Sequence, residues 1–168
     1  SAASEAPLDA GGLRDVTARE SSVLFLSYWL GKRSAFLVVS VGDAGEVIAL
    51  GSTSELLPKL ARARAAVADG ALGDPWPALD DAAQAFVPPA VQARLRDATR
   101  IVFCPDDHLG ALPFEALRIG GVPLGVGKAV ERAPSLSLRA RLATRTARGD
   151  GLANFVSIEA PDDERRLA

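Results

Sequence analysis

Ordered patterning begins with three apolar runs. Val23 to Leu30 (VLFLSYWL) and Ala35 to Val41 (AFLVVSV) are short and rich in β-branched and aromatic residues, and the polar quartet GKRS separates them. VGDAGEVIAL then leads through a glycine-bounded loop into a third run. Three such runs with short polar joints predict an antiparallel meander. After them the period changes. In STSELLPKLARARAAVADG, Leu56, Leu60, Ala63 and Val67 recur at helical intervals on one face, with Lys59, Arg62 and Asp69 turned to water. Ser52 and Glu55 have the spacing of a capping box, and Pro58 lies close enough to the start that the regular turns are expected to begin only there.

Prolines punctuate the next segment, ALGDPWPALDDAAQAFVPPAVQARLRDA. It reads as a loop through Pro75 and Pro77, a short helix, and a second helix opened by Pro88-Pro89 that carries Val91 and Leu95. Thr99 to Cys104 (TRIVFC) is a continuous apolar run closed by a proline and two aspartates, the pattern of a strand buried on both faces of a mostly parallel sheet. Further on, LRIGGVPLGVGKAVERAPSL breaks into short apolar pieces between glycines, RARLATRTAR reads as a helix, and LANFVSI (Leu152 to Ile158) is another buried-strand candidate. Helices alternating with buried strands predict a layered α/β fold. Residues 1–20 are small, polar and Gly/Ala-rich and read as a flexible linker, with the folded unit spanning 21–168 from about Ser21.

Composition narrows the function classes. A chain of 168 residues, 48% hydrophobic and 24% charged, is the size of one globular domain with a normal core. A net charge of -2 gives no general reason to expect nucleic acid or an anionic membrane as partner. No apolar run approaches the ~18 residues that span a bilayer. The N-terminus lacks the charge and apolar pattern of a signal peptide, and the single cysteine fits a reducing compartment, so a cytoplasmic location is expected. No methionine is present, even at position 1, which predicts a piece of something longer.

FCPDDH holds the only cysteine, Cys104, and the only histidine, His108. A thiolate nucleophile with an imidazole partner is the chemistry of cysteine peptidases. Against that reading, a cysteine closing an apolar strand is a small buried hydrophobe whose desolvation raises its pKa. His108, in a turn beside Asp106 and Asp107, reads as a solvated loop residue, and catalytic pairs are normally assembled from distant segments. GGVPLGVGKAV is not a phosphate loop, because Val122 and Ala129 stand where the glycine and the hydroxyl residue would be needed. No metal-ligand spacing is present, and neither a metal nor a cofactor is expected. The stripe Arg141, Arg145 and Arg148, with Arg139 nearby, either grips an anionic partner or forms a solvated helix face, and the second reading is favoured.

IVFCPDDHLGALPFEAL closely resembles the signature of CHAT domains, caspase-like and separase-like cysteine peptidase domains often found beside tetratricopeptide repeats. The positions that match are Pro105, Asp106, Leu109, Leu112, Pro113, Phe114, Glu115, Ala116 and Leu117, followed by the P-S-x-S segment Pro134, Ser135, Leu136 and Ser137. The resemblance covers roughly residues 21–160 and implies a caspase-like α/β/α sandwich, here its N-terminal part, with a mixed sheet and the antiparallel meander at its start. It also implies that the catalytic histidine and cysteine belong to a later histidine-glycine segment and a later cysteine segment. Neither is in this sequence, so no residue here is expected to be catalytic.

Within the signature, Leu112, Phe114 and Leu117 read as core anchors and Pro113 as a stiff bend. Glu115 is either a buried carboxylate that fixes a loop or a general base with a raised pKa, and the first is favoured. The resemblance implies as partner the remainder of the peptidase domain with its His/Cys dyad, in cis or as a second chain. A repeat domain and a protein substrate are further partners it implies. A different class, a stand-alone interaction module that kept the fold and lost the chemistry, remains open.

Overall fold

A computed structural model of the chain describes residues 10–68 and 74–147. It opens with helix α1 (Ala10–Arg19). The meander follows as β1 (Val23–Leu30), β2 (Ser34–Val41) and β3 (Ala44–Ser52), paired antiparallel in sequence order. Three helices come next, α2 (Thr53–Ala68), α3 (Trp76–Phe86) and α4 (Pro89–Asp97). The chain then forms β4 (Arg100–Cys104), the small hairpin of β5 (Arg118–Ile119) and β6 (Val122–Pro123), the strand β7 (Ala129–Arg132) and helix α5 (Leu136–Ala147).

β4 runs parallel to β1, with Leu24 opposite Ile101, and β7 runs parallel to β4. Among the described residues the sheet is therefore mixed and five-stranded, in the order β3-β2-β1-β4-β7. Alternation along the strands sorts side chains into two apolar clusters. Leu24, Leu26, Tyr28, Leu37, Val39, Ile101 and Phe103 face α2, α3 and α4. Val23, Phe25, Val102 and Cys104 face the other way, packing with Ala133, with Leu136 of α5 and against Leu13 of α1. The result is the α/β/α layering that the resemblance implies. Ile101 to Cys104 are all buried, as the unbroken apolar run predicted for a strand covered on both faces.

Four local expectations need correction. Residues 10–19 are helix, although AGGLRDVTAR carries two glycines and little apolar surface. Tertiary cover overrides that weak propensity: Thr17 is buried, Leu13 packs on the second cluster, and Glu20 just beyond is ion-paired with Arg139. α2 begins at Thr53, five residues before Pro58, because Thr53 anchors it. The Thr53 hydroxyl donates to the Gly31 carbonyl (2.7 Å) and its N–H to the Arg33 carbonyl (3.1 Å). Ser52 Oγ bonds to Ser54 Oγ (2.6 Å). Val67 is 45% exposed, since the buried stripe of α2 ends at Ala63. Pro77 lies inside the first turn of α3 and not in a loop, a position where a missing N–H leaves no bond unmade.

Lys59 and Arg62 share Asp81 of α3, at 2.7 and 2.9 Å. Lys128 donates to the carbonyls of Arg96 and Ala98, closing the C-terminus of α4, so the lysine of the Gly127-Lys128 pair has a helix-capping role. Asp69, the side chain of Arg145, Arg148 and the strand candidate Leu152 to Ile158 lie outside the described residues.

Candidate functional site

The signature stretch leaves β4 at its C-terminal end, where a parallel strand delivers the chain to the rim of an α/β sheet. Pro105 starts the exit and Asp106 fixes its direction. One Asp106 oxygen accepts from the Leu30 N–H at the end of β1 (3.1 Å), and the other from the His108 N–H (3.2 Å), capping a single 3-10 turn over Asp107–Leu109. An aspartate in a P-D turn thus ties the ends of two neighbouring strands together.

From there the chain dives back into the core. Leu109, Leu112, Phe114 and Leu117 are completely buried in the larger cluster. The Phe114 ring stacks on Phe103 of β4 with centroids 3.9 Å apart and lies edge-on to Tyr28 at 6.1 Å. The Tyr28 hydroxyl donates to the Phe86 carbonyl (2.9 Å), satisfying the one polar atom of that aromatic group. Pro113, half-buried, precedes the second 3-10 turn, Phe114–Ala116.

Glu115 has a partner 17 residues away that no local pattern announced. Both carboxylate oxygens accept from Arg132 of β7, at 2.9 and 2.8 Å. The same guanidinium donates to the carbonyls of Gly110 (2.9 Å) and Leu112 (2.7 Å). Arg132 is thus the pin of the whole loop, and bidentate geometry gives it direction as well as charge. Its hydrogen bonds hold the Glu115 carboxyl below the ordinary carboxylate value, the reverse of what a general base near neutrality requires. Close packing completes the loop: the Gly125 N–H donates to the Glu115 carbonyl (2.8 Å), and a Cβ at Gly125 would stand 3.3 Å from Glu115.

In the second motif segment, Ser135 Oγ accepts from the Leu138 N–H (3.1 Å), the N-cap bond of α5. Leu136 enters the second cluster, Ser137 is half-buried and Pro134 is exposed. Arg139, read from its spacing as part of a solvated stripe, is held instead. Its guanidinium pairs with Glu20 and, at 2.8 Å, with Glu131, and it lies 5.4 Å from the Phe25 ring centroid.

The structure separates the environments of Cys104 and His108. The Cys104 thiol points into the smaller cluster between the sheet and the α1/α5 layer, and burial pushes it up to about 11 despite a hydrogen bond with Ser27. His108 is exposed on the turn beyond. With an ordinary thiol value of 9.0, the thiolate fraction at neutral pH falls by about 100-fold. An aromatic disulfide reagent should therefore label the folded chain at pH 7 far more slowly than the urea-unfolded chain. Equal rates would show an accessible thiol. Among the described residues no three His, Cys, Asp or Glu side chains are grouped as metal ligands would be, and no helix is long and apolar enough to cross a membrane.

Comparison with known families assigns this architecture. The family model of the CHAT domain matches residues 77–167, which runs from α3 through the pinned loop and the capped α5. The chain belongs to the CHAT domain family. Curated proteins and solved structures yield no match. The CHAT match begins after the meander, so the first three strands come into the domain through pairing: β1 adds to β4 in the same sheet.

Proposed function

We propose that this chain is the N-terminal, large-subunit-like part of a CHAT-family cysteine peptidase domain, supplying sheet scaffold and part of a substrate cleft wall. The catalytic histidine and cysteine would come from the remainder of the domain, in cis or as a second polypeptide. Peptide cleavage would then proceed through a cysteine thioacyl intermediate, with histidine as acid and base and backbone N–H groups holding the oxyanion. The observation that carries this reading is the contrast at the end of β4. The signature loop is built in full, pinned by Arg132, while the one thiol beside it faces the core and is held protonated.

Protein is the proposed substrate class, and a tetratricopeptide-repeat neighbour and a cytoplasmic location belong to the same reading. The chain is expected to leave protein substrates uncut by itself. Mixed with the polypeptide that bears the histidine-glycine and cysteine segments, it should support cleavage that a thiol alkylator of that polypeptide abolishes. Cys104→Ala should leave the cleavage intact. Cleavage by this chain alone, lost in Cys104→Ala, would sink the reading. A stable complex without cleavage would favour the interaction module.

A further inference from the structure

We infer that β3 is the docking edge for a second copy of this chain, pairing antiparallel with its counterpart across a two-fold axis so that the sheet continues through both molecules. Among the described residues β3 ends the sheet, with β2 on one side only. Alternate N–H and C=O groups along its nine residues therefore point outward. Sheet proteins usually blunt such an edge with lysine, proline or a bulge. AGEVIALGS has neither residue, and its one irregularity, at Leu50 between the pairs Phe36–Ala49 and Ala35–Gly51, lies toward the Gly51 end and leaves Ala44 to Ala49 regular. The other end of the sheet differs: β7 has four residues, and its Glu131 and Arg132 are both ion-paired.

The strand's own side-chain pattern points to a second copy as the occupant, and charge does not oppose it. Glu46 is the one charged residue of β3, and Arg94 of α4 holds its carboxylate at 2.6 Å. A two-fold axis perpendicular to the sheet sets residues of the same face opposite each other, and within the regular stretch Ala44 to Ala49 it falls at Val47, which then faces its own counterpart. Glu46 then meets Ile48 of the second copy and not its own counterpart. The strand is self-complementary, with no like charges opposed. On the opposite face, Val47 is 67% exposed and continues the cross-strand row Ser27, Val38, Val47, next to the row Trp29, Phe36, Ala49. Trp29 is 56% exposed and stacks on Phe36 at 5.7 Å. Pairing through β3 joins the apolar rows of both copies into one strip, where each alone leaves them to water.

Sedimentation of the full chain from micromolar to near-millimolar concentration should show the 17.5 kDa species giving way to one of twice that mass. Hydrogen exchange of β3 amides should slow over the same range. Val47→Lys and Val47→Glu, at a position the core does not use, should each keep the chain monomeric while its circular dichroism is unchanged. An equimolar mixture of the two should restore the dimer, with affinity about tenfold or more above either variant alone. A wild-type chain that stays monomeric throughout would overturn the inference. So would variants that dimerise as the wild type does, or a mixture that fails to associate, which would leave the edge to a strand of another protein.

Discussion

Phe114→Ala should lower the free energy of unfolding by about 3–5 kcal/mol, the range for deleting a fully buried aromatic ring. The ring is completely buried between Phe103 and Tyr28, in a site whose walls are fixed on several sides. Phe103 belongs to a strand paired on both edges, and Tyr28 is held by its bond to the Phe86 carbonyl. Collapse into the vacated space is therefore limited, which places the cost toward the upper part of the range. Against a typical domain stability of about 5–15 kcal/mol, that is a large share. Urea denaturation followed by far-ultraviolet circular dichroism measures it. A loss below about 1 kcal/mol would mean that the signature loop only rests on the core.

Arg139→Ala is expected to cost about 2 kcal/mol, less than the 3–5 kcal/mol of a fully buried pair because its acidic partners are partly exposed to screening water. The arginine side chain is only 12% exposed, and Glu20 and Glu131 depend on it from two different directions. Removing it leaves two carboxylates near each other and frees the link between α5 and the end of α1. Proteolysis near α1 should therefore accelerate more than global unfolding does.

The pH dependence has a definite sign. Arg139 holds the Glu20 carboxyl below its ordinary 4.5, first through the side-chain hydrogen bond. A depressed folded value contributes stability that is complete above the unfolded pKa and lost as pH falls through the folded one. Glu115 behaves alike through Arg132. Wild-type stability should fall off on the acid side below about pH 4.5, and Arg139→Ala should flatten that limb. An acid limb identical in the variant would refute the assignment.

The meander and β4 were legible because alternation and unbroken apolar runs are local signals, whereas Leu112, Phe114 and Leu117 were legible as core anchors only as the apolar members of the signature. What was not legible is the set of contacts made by arginines. Arg132 pins a loop that begins more than twenty residues upstream, and no periodicity links it to Gly110 or Leu112. Spacing placed Arg139 on a charged helix stripe, but spacing cannot say what packs over a face, and here Glu20 and Phe25 do. α1 escaped for the related reason that its helix is stabilised by its neighbours and not by its own composition.

The parallel pairing of β1 with β4, beginning at Val23 opposite Arg100, joins strands that the ribosome delivers far apart in time. The meander can close by itself as soon as it emerges, through neighbouring hairpins, but its β1 edge then waits for β4 while α2, α3 and α4 are still being made. Folding should accordingly show a fast local phase and a slower one set by closure of that long loop. Throughout the interval the bare β1 edge, lined with Leu24, Phe25 and Leu26, is the surface a chaperone would have to guard.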